Sequence, residues 1–143
     1  SLFDELSFIS IIDMLFEGDI MDLERVFEKQ IELNKKINPK LYEEIKDPEV
    51  RRKWFLNFER ALTQETAEAI DSLNWKWWKK GEDNWDNVKV ELIDMLHFWV
   101  SMCTIAGIDA QAVMDLYSKK NYSDVFPDES PSCFFVQRYQ VGF

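Results

Sequence analysis

The sequence predicts an all-α helical bundle with a four-helix core. Four glycines and four prolines in 143 residues leave long stretches free to be helical. Apolar residues recur at intervals of three and four through most of the chain. Alternation of apolar and polar residues never runs beyond a few positions, and no repeat or low-complexity tract occurs.

The elements follow in order. Leu2, Leu6, Ile9, Ile12 and Phe16 have helical spacing, and Gly18 ends that run. A second helix is expected from near Asp19 to about Lys36, with the stripe Leu23, Val26, Phe27, Gln30, Leu33, Asn34 and Ile37. Asn38-Pro39 stops it, because the residue before proline disfavours helical backbone. Asp47-Pro48-Glu49 is a strong start: a capping acid, proline at the first helical position, and an acid for the dipole. From there the pattern predicts a helix of about thirty residues, ending at Lys79-Lys80-Gly81 with basic residues in the last turn and glycine beyond. Asp83-Asn84 opens the next helix, which is expected to end at Gly107. From Leu92 to Ile105 it is apolar on nearly every face, the mark of a buried central helix. Asp109 caps a last helix to about Asn121, and Pro127, Pro131 and several serines then predict an irregular tail. The chain reads as one domain over 1–143, with its motif-bearing core at 19–124 and the tail at 125–143.

The formal net charge of −10 argues against a nucleic-acid polymer as partner, which needs a basic surface. A nucleotide remains compatible, since metal ions can meet its phosphates. Cys103 and Cys133 do not make a disulfide framework, and Cys103 is expected in the core. The apolar run from Phe8 to Phe16 is broken by Asp13 and lacks a basic leader. It is therefore expected to be neither a signal peptide nor a membrane span, and the chain is expected to be cytoplasmic with no membrane partner.

Two acidic pairs stand apart. Glu65/Glu68 and Glu91/Asp94 each have three-residue spacing, which places both members on one helix face. Each also lies on a stripe expected to face inward: Phe58, Leu62, Glu65, Ala69 and Val88, Glu91, Leu92, Met95. Inward carboxylates are costly unless positive charge meets them. Four aimed at one place suit a hard divalent cation such as Mg²⁺, Mn²⁺ or Ca²⁺. A buried network with lysine or arginine partners is the other reading. Asp19/Asp22 and Asp83/Asp86 share the spacing, but they sit at helix starts and are expected to cap and solvate.

Further residues bear on the same chemistry. Gln30 and Asn34 are amides on a core stripe one turn apart, suited to a nucleobase edge or to bridging helices. Trp75-Lys76-Trp77-Trp78-Lys79 offers flat faces for stacking and lysines for phosphates, or an aromatic plug with snorkelling lysines. His97, the only histidine, follows Asp94 by three and precedes Phe98, so it is a core residue or a neighbour of the metal and sugar. Lys119-Lys120-Asn121 closes the last helix, where cations are ordinary.

Together these residues resemble the all-α nucleoside triphosphate pyrophosphohydrolases, and within them the dimeric dUTPases. Glu65-Thr66-Ala67-Glu68 and Glu91-Leu92-Ile93-Asp94 match the superfamily's paired metal motif. Gln30-Ile31-Glu32-Leu33-Asn34, the tryptophan–lysine element, Asp94-Met95-Leu96-His97-Phe98 and Tyr117-Ser118-Lys119-Lys120-Asn121 match dUTPase segments in the same order. The chain is more compact than larger dimeric dUTPases. Asp124 stands where the family usually has asparagine, and an Arg138…Gly142-Phe143 echo comes only at the end.

The resemblance implies Mg²⁺, with Mn²⁺ as the alternative, held by Glu65, Glu68, Glu91 and Asp94, with Glu65 as the proton acceptor. It implies a deoxynucleoside triphosphate substrate, foremost dUTP cut to dUMP and pyrophosphate. The implied substrate contacts are Gln30, Asn34, Trp75, Lys76, Trp78, Lys79, His97, Phe98, Lys120 and Asn121. A homodimer is implied, with a tetramer as the alternative. Two rival readings are a MazG-like housecleaning pyrophosphohydrolase of another or modified deoxynucleotide, and a non-catalytic helical interaction module.

Overall fold

The computed structural model describes residues 22–125, and they are all-α. Five helices occur among them: α1 Leu23–Ile37, α2 Leu41–Glu44, α3 Pro48–Asp71, α4 Trp85–Ala106 and α5 Ala110–Val125. The apolar run Leu2–Phe16, Cys133 and Arg138 lie outside the described residues.

The helix boundaries follow local chemistry. The Asp22 side chain accepts from Arg25 N and caps α1, Asp47 accepts from Glu49 N ahead of Pro48, and Asn84 accepts from Asn87 N. Asp109 accepts from Ala112 N at the start of α5. Gly107 ends α4 at φ 82°, a left-handed conformation that a side chain would strain. Asp86, in the first turn of α4, pairs with Lys89 in solvent, while Asp83 bonds to Asn74 N across the preceding loop.

Three features depart from the sequence reading. The expected thirty-residue helix stops at Asp71. Ser72 turns its hydroxyl back to Glu68 O, and Asn74 N and Asn84 N take Asp83 Oδ1 and Ser72 O. These local bonds compete with the helical ladder and win. The tryptophan–lysine element therefore lies in a loop over 72–84, not at a helix end. The second feature is α2, unmarked in the sequence reading, whose Leu41 is 2% exposed. The third is the surface of α4: Leu92, Ile93, Leu96 and Trp99 are exposed, so the helix is not buried on every face among the described residues.

α3 and α4 form an antiparallel hairpin with a regular seam. Residues seven apart on α3 meet residues seven apart on α4, as in a coiled coil. Arg51 Nε donates to Ile105 O, and its Nη2 to Ala106 O. Phe58 packs on Phe98 with ring centroids 6.5 Å apart. Glu65 meets Glu91. Ser72 O accepts from Asn84 N. Apolar packing lies on both sides of α4. Phe58, Phe98, Ile105 and Leu41 make one core, and Phe27, Val100, Cys103 and Ala110 make the other against α1 and α5. Cys103 is a core residue as expected, and burial pushes its thiol up to about 11, which keeps it inert.

Candidate metal centre and nucleotide site

The third layer of the hairpin seam is carboxylate where its neighbour is aromatic. Glu65, Glu91 and Asp94 are each 6–7% exposed. Each offers an oxygen, and these oxygens all lie within 4.8 Å of one another. Helical register causes this: Glu65 follows Phe58 by two turns, and Glu91 and Asp94 precede Phe98 on the same face. Buried carboxylates this close together are best satisfied by positive charge. An all-oxygen donor set at this spacing fits a hard divalent cation and does not suit softer metals.

Glu68 stands one turn beyond Glu65, half-buried, with Oε1 accepting from Gln64 Nε2 at 3.2 Å. It lies outside the close group of three. Asn87 escaped the sequence reading. Its Nδ2 donates to Glu91 Oε1 at 3.0 Å and to Ser72 Oγ at 2.7 Å, which orients Glu91 and ties the loop to the site. The signal in the sequence was its position one turn before Glu91.

Gln30 and Asn34 are buried beside the same helix, 6% and 3% exposed. They bond to each other, Gln30 Nε2 to Asn34 Oδ1 at 2.9 Å. Asn34 Nδ2 donates to Ser101 Oγ and to Tyr42 Oη. Gln30 Oε1 meets His97 Nδ1. His97 is one turn from Asp94, so the amide cluster adjoins the carboxylates along α4. Burial holds the His97 imidazole below its ordinary pKa. Phe98 is 6% exposed and belongs to the core cluster with Phe58.

The loop over 72–84 carries the aromatic groups. Trp75, Trp77 and Trp78 are 46%, 88% and 60% exposed. Trp75 Nε1 donates to Asp71 Oδ1, and Trp78 makes edge contacts with Trp75 and Trp77. Lys76 Nζ lies 5.5 Å from the centre of the Trp75 ring, and Lys79 is exposed. Lys120 and Asn121 are exposed on α5, a helix that packs on α1. A mostly apolar groove of about 720 Å³ opens between α1 and the α4–α5 turn, and none of the three clustered carboxylates lines it.

Among the described residues, no single helix is long and apolar enough to cross a membrane. Comparison with curated proteins and with solved structures gives no match. A family model described as dUTPase matches residues 22–137, most of the chain. That span takes in the carboxylate group, the amide pair and the tryptophan loop in their expected order. With its all-helical fold and its buried carboxylates on facing helices, the chain belongs to the dUTPase family.

Proposed function

We propose that the chain is a Mg²⁺-dependent pyrophosphohydrolase of deoxynucleoside triphosphates, foremost dUTP, giving dUMP and pyrophosphate. The observation that carries this reading is the buried group Glu65, Glu91 and Asp94 in a chain of this family. Those three residues would hold the cation, and Glu68 would join them by giving up its bond to Gln64. When bound, Mg²⁺, or Mn²⁺ in its place, neutralises phosphate charge and makes water a better nucleophile near pH 7.

The chain's own residues have separable tasks. Asn87 fixes the Glu91 carboxylate. Glu65 takes the proton of the attacking water at a carboxylate oxygen. Lys76 and Lys79 meet phosphate oxygens, and Trp75 and Trp78 give faces for the base. Gln30, Asn34 and His97 form the polar wall beside them, with Phe98 behind it. Lys120 and Asn121 would reach the nucleotide from α5.

The proposed working unit is a homodimer, with a tetramer as the alternative. Leu92, Leu96 and Trp99 lie on one exposed stripe of α4, apolar surface that a second copy would cover. The proposed compartment is the cytoplasm, and a net charge of −10 disfavours a nucleic-acid polymer as partner.

A second reading is a MazG-like enzyme acting on another or modified deoxynucleotide. It gains from Asn34, whose amide hydrogens are both engaged inside the protein and so are not available to read a base. Pyrophosphate release with Mg²⁺ across dUTP, dCTP, dTTP, dATP and dGTP decides between them. A preference for dUTP of a hundredfold or more supports the first reading, and comparable rates support the second. No release from any of them, with Glu91→Gln protein equally inert, leaves a non-catalytic helical module.

A further inference from the structure

Six side chains between α1, α2 and α4 form a hydrogen-bond relay whose direction is fixed at both ends by α4 itself. Ser101 Oγ donates to His97 O at 2.8 Å, so its hydrogen is spent and it must accept from Asn34 Nδ2, 3.0 Å away. Thr104 Oγ1 donates to Ser101 O at 2.7 Å, so it accepts from Tyr42 Oη, 3.0 Å away. Tyr42 Oη, its own hydrogen used, accepts from Asn34 Nδ2 at 3.1 Å. Two branches ending on backbone carbonyls thus force the same orientation of the Asn34 amide. Its Oδ1 accepts from Gln30 Nε2. Gln30 therefore presents Oε1, an acceptor, to His97 Nδ1. Nδ1 must carry the hydrogen, and Nε2 is left with its lone pair. That Nε2 is buried and makes no hydrogen bond to the described residues.

We propose that Ser101, Tyr42, Thr104, Asn34 and Gln30 lock His97 as its Nδ1–H tautomer, so that Nε2 is a fixed hydrogen-bond acceptor for an N–H or O–H of the bound nucleotide. The tautomer lock is independent of the activity, whereas the acceptor's role rests on the nucleotide reading. A buried acceptor with no donor costs free energy that a ligand donor recovers. His97 is three residues past Asp94, about 4.5 Å along the helix axis, so a nucleotide held at the carboxylates brings its sugar and base within reach. Two of its groups qualify: the imide N–H of uracil, which cytosine lacks, and the sugar 3′-hydroxyl. Because Nε2 has no exposed surface, the side chains around it move when the ligand enters. Ser101, Tyr42 and Thr104 are positioning residues in this scheme, since they act only through Asn34.

The single histidine makes the test direct, because one imidazole gives the whole imidazole-nitrogen NMR signal of the full chain. The ligand-free protein is expected to show a protonated Nδ1 and a bare Nε2, and the opposite tautomer would overturn the lock without any variant. Tyr42→Phe alone leaves one branch and is expected to keep the tautomer. Tyr42→Phe with Ser101→Ala frees Asn34 to flip and should give a mixture, whereas a pure Nδ1–H signal in the double variant overturns the relay. With Mg²⁺ and the α,β-imido analogue of dUTP, the Nε2 resonance should shift as it accepts a hydrogen bond. Loss of that shift with the N3-methyl analogue assigns the donor to the base, and loss with the 3′-deoxy analogue assigns it to the sugar. The matching analogue should bind roughly tenfold more weakly. An unmoved Nε2 with calorimetrically bound nucleotide refutes the acceptor role and leaves the proposed activity standing. Failure of any nucleotide to bind refutes the acceptor role and the proposed function together, while the tautomer result still judges the relay.

Discussion

Two buried polar groups lie on the same face of α4, one turn apart, and they solve burial in opposite ways. In the amide group around Asn34, donors meet acceptors in order from Thr104 and Ser101 through Asn34 and Gln30 to His97, with His97 Nε2 the exception. In the carboxylate group, Glu65, Glu91 and Asp94 bring three acceptors together, and Asn87 donates to Glu91. The first contributes to stability as it stands. The second gathers carboxylate oxygens at one place, an arrangement that suits a hard cation. One matches donors to acceptors and the other gathers acceptors at one place, and this difference can be measured.

The largest expected effect is on turnover. Glu91→Gln keeps shape and removes a charge from the group of three. It should lower kcat for dUTP roughly a thousandfold, comparable to deleting a principal electrostatic group in other active sites. It should also abolish the Mg²⁺-dependent rise in Tm, which for wild-type protein at a hundred times Kd corresponds to about 2.7 kcal/mol. The metal-free variant should be as stable as wild type or more so. Undiminished turnover would erase the distinction between the two groups.

Asn34→Leu should do the reverse. It strands Gln30 Nε2 and removes the donor that Ser101 and Tyr42 accept, at a cost of about 2–3 kcal/mol in urea unfolding. That loss should be the same with and without Mg²⁺. A Mg²⁺-dependent loss would mean that the two groups are coupled rather than separate.

Acid should separate them further. Burial depresses the pKa of folded His97, while the unfolded residue titrates near 6.5. Between the two values the unfolded chain binds more protons. Stability is therefore full above about pH 6.5 and falls as pH drops toward the folded value, by at most about 1.4 kcal/mol per pH unit. His97→Gln should flatten that segment of the metal-free stability curve, and an unchanged slope would place the titration elsewhere. The smallest effect is expected at Trp77, 88% exposed on its loop. Trp77→Ala should change unfolding free energy by about 0.5 kcal/mol or less, and a larger change would show that the loop supports the hairpin.

The sequence exposed the candidate site more clearly than its setting. Glu65, Glu91 and Asp94 were legible because charged residues on an apolar stripe violate the pattern around them. Helix starts at Asp47, Asn84 and Asp109, and the capping role of Asp22, were legible because capping is local chemistry. The stop at Asp71 was not. It depends on Ser72, Asn74, Asp83 and Asn84 bonding across a loop, and lysine-lysine-glycine at 79–81 imitates a helix end. Leu41 and Tyr42 were missed because a one-turn helix has no period to detect. Leu92 lay on the stripe assigned inward yet is 53% exposed, since composition cannot say which side of an apolar helix has a neighbour. Asn87, Ser101 and Thr104 look ordinary as letters. Their meaning lies in which hydrogen each has already spent.

Arg51 gives the hairpin a permanent clasp at one end. Its guanidinium holds the carbonyls of Ile105 and Ala106, the orphan acceptors at the close of α4. Two heptads away lies the carboxylate layer of Glu65 and Glu91, whose clasp would be the proposed cation. Amide hydrogen exchange along the hairpin should therefore run as a gradient in the metal-free protein, slow beside Arg51 and fast beside the carboxylates. Metal would flatten that gradient from one end only, like a zip whose stop is sewn in at the bottom and whose slider is supplied from solution.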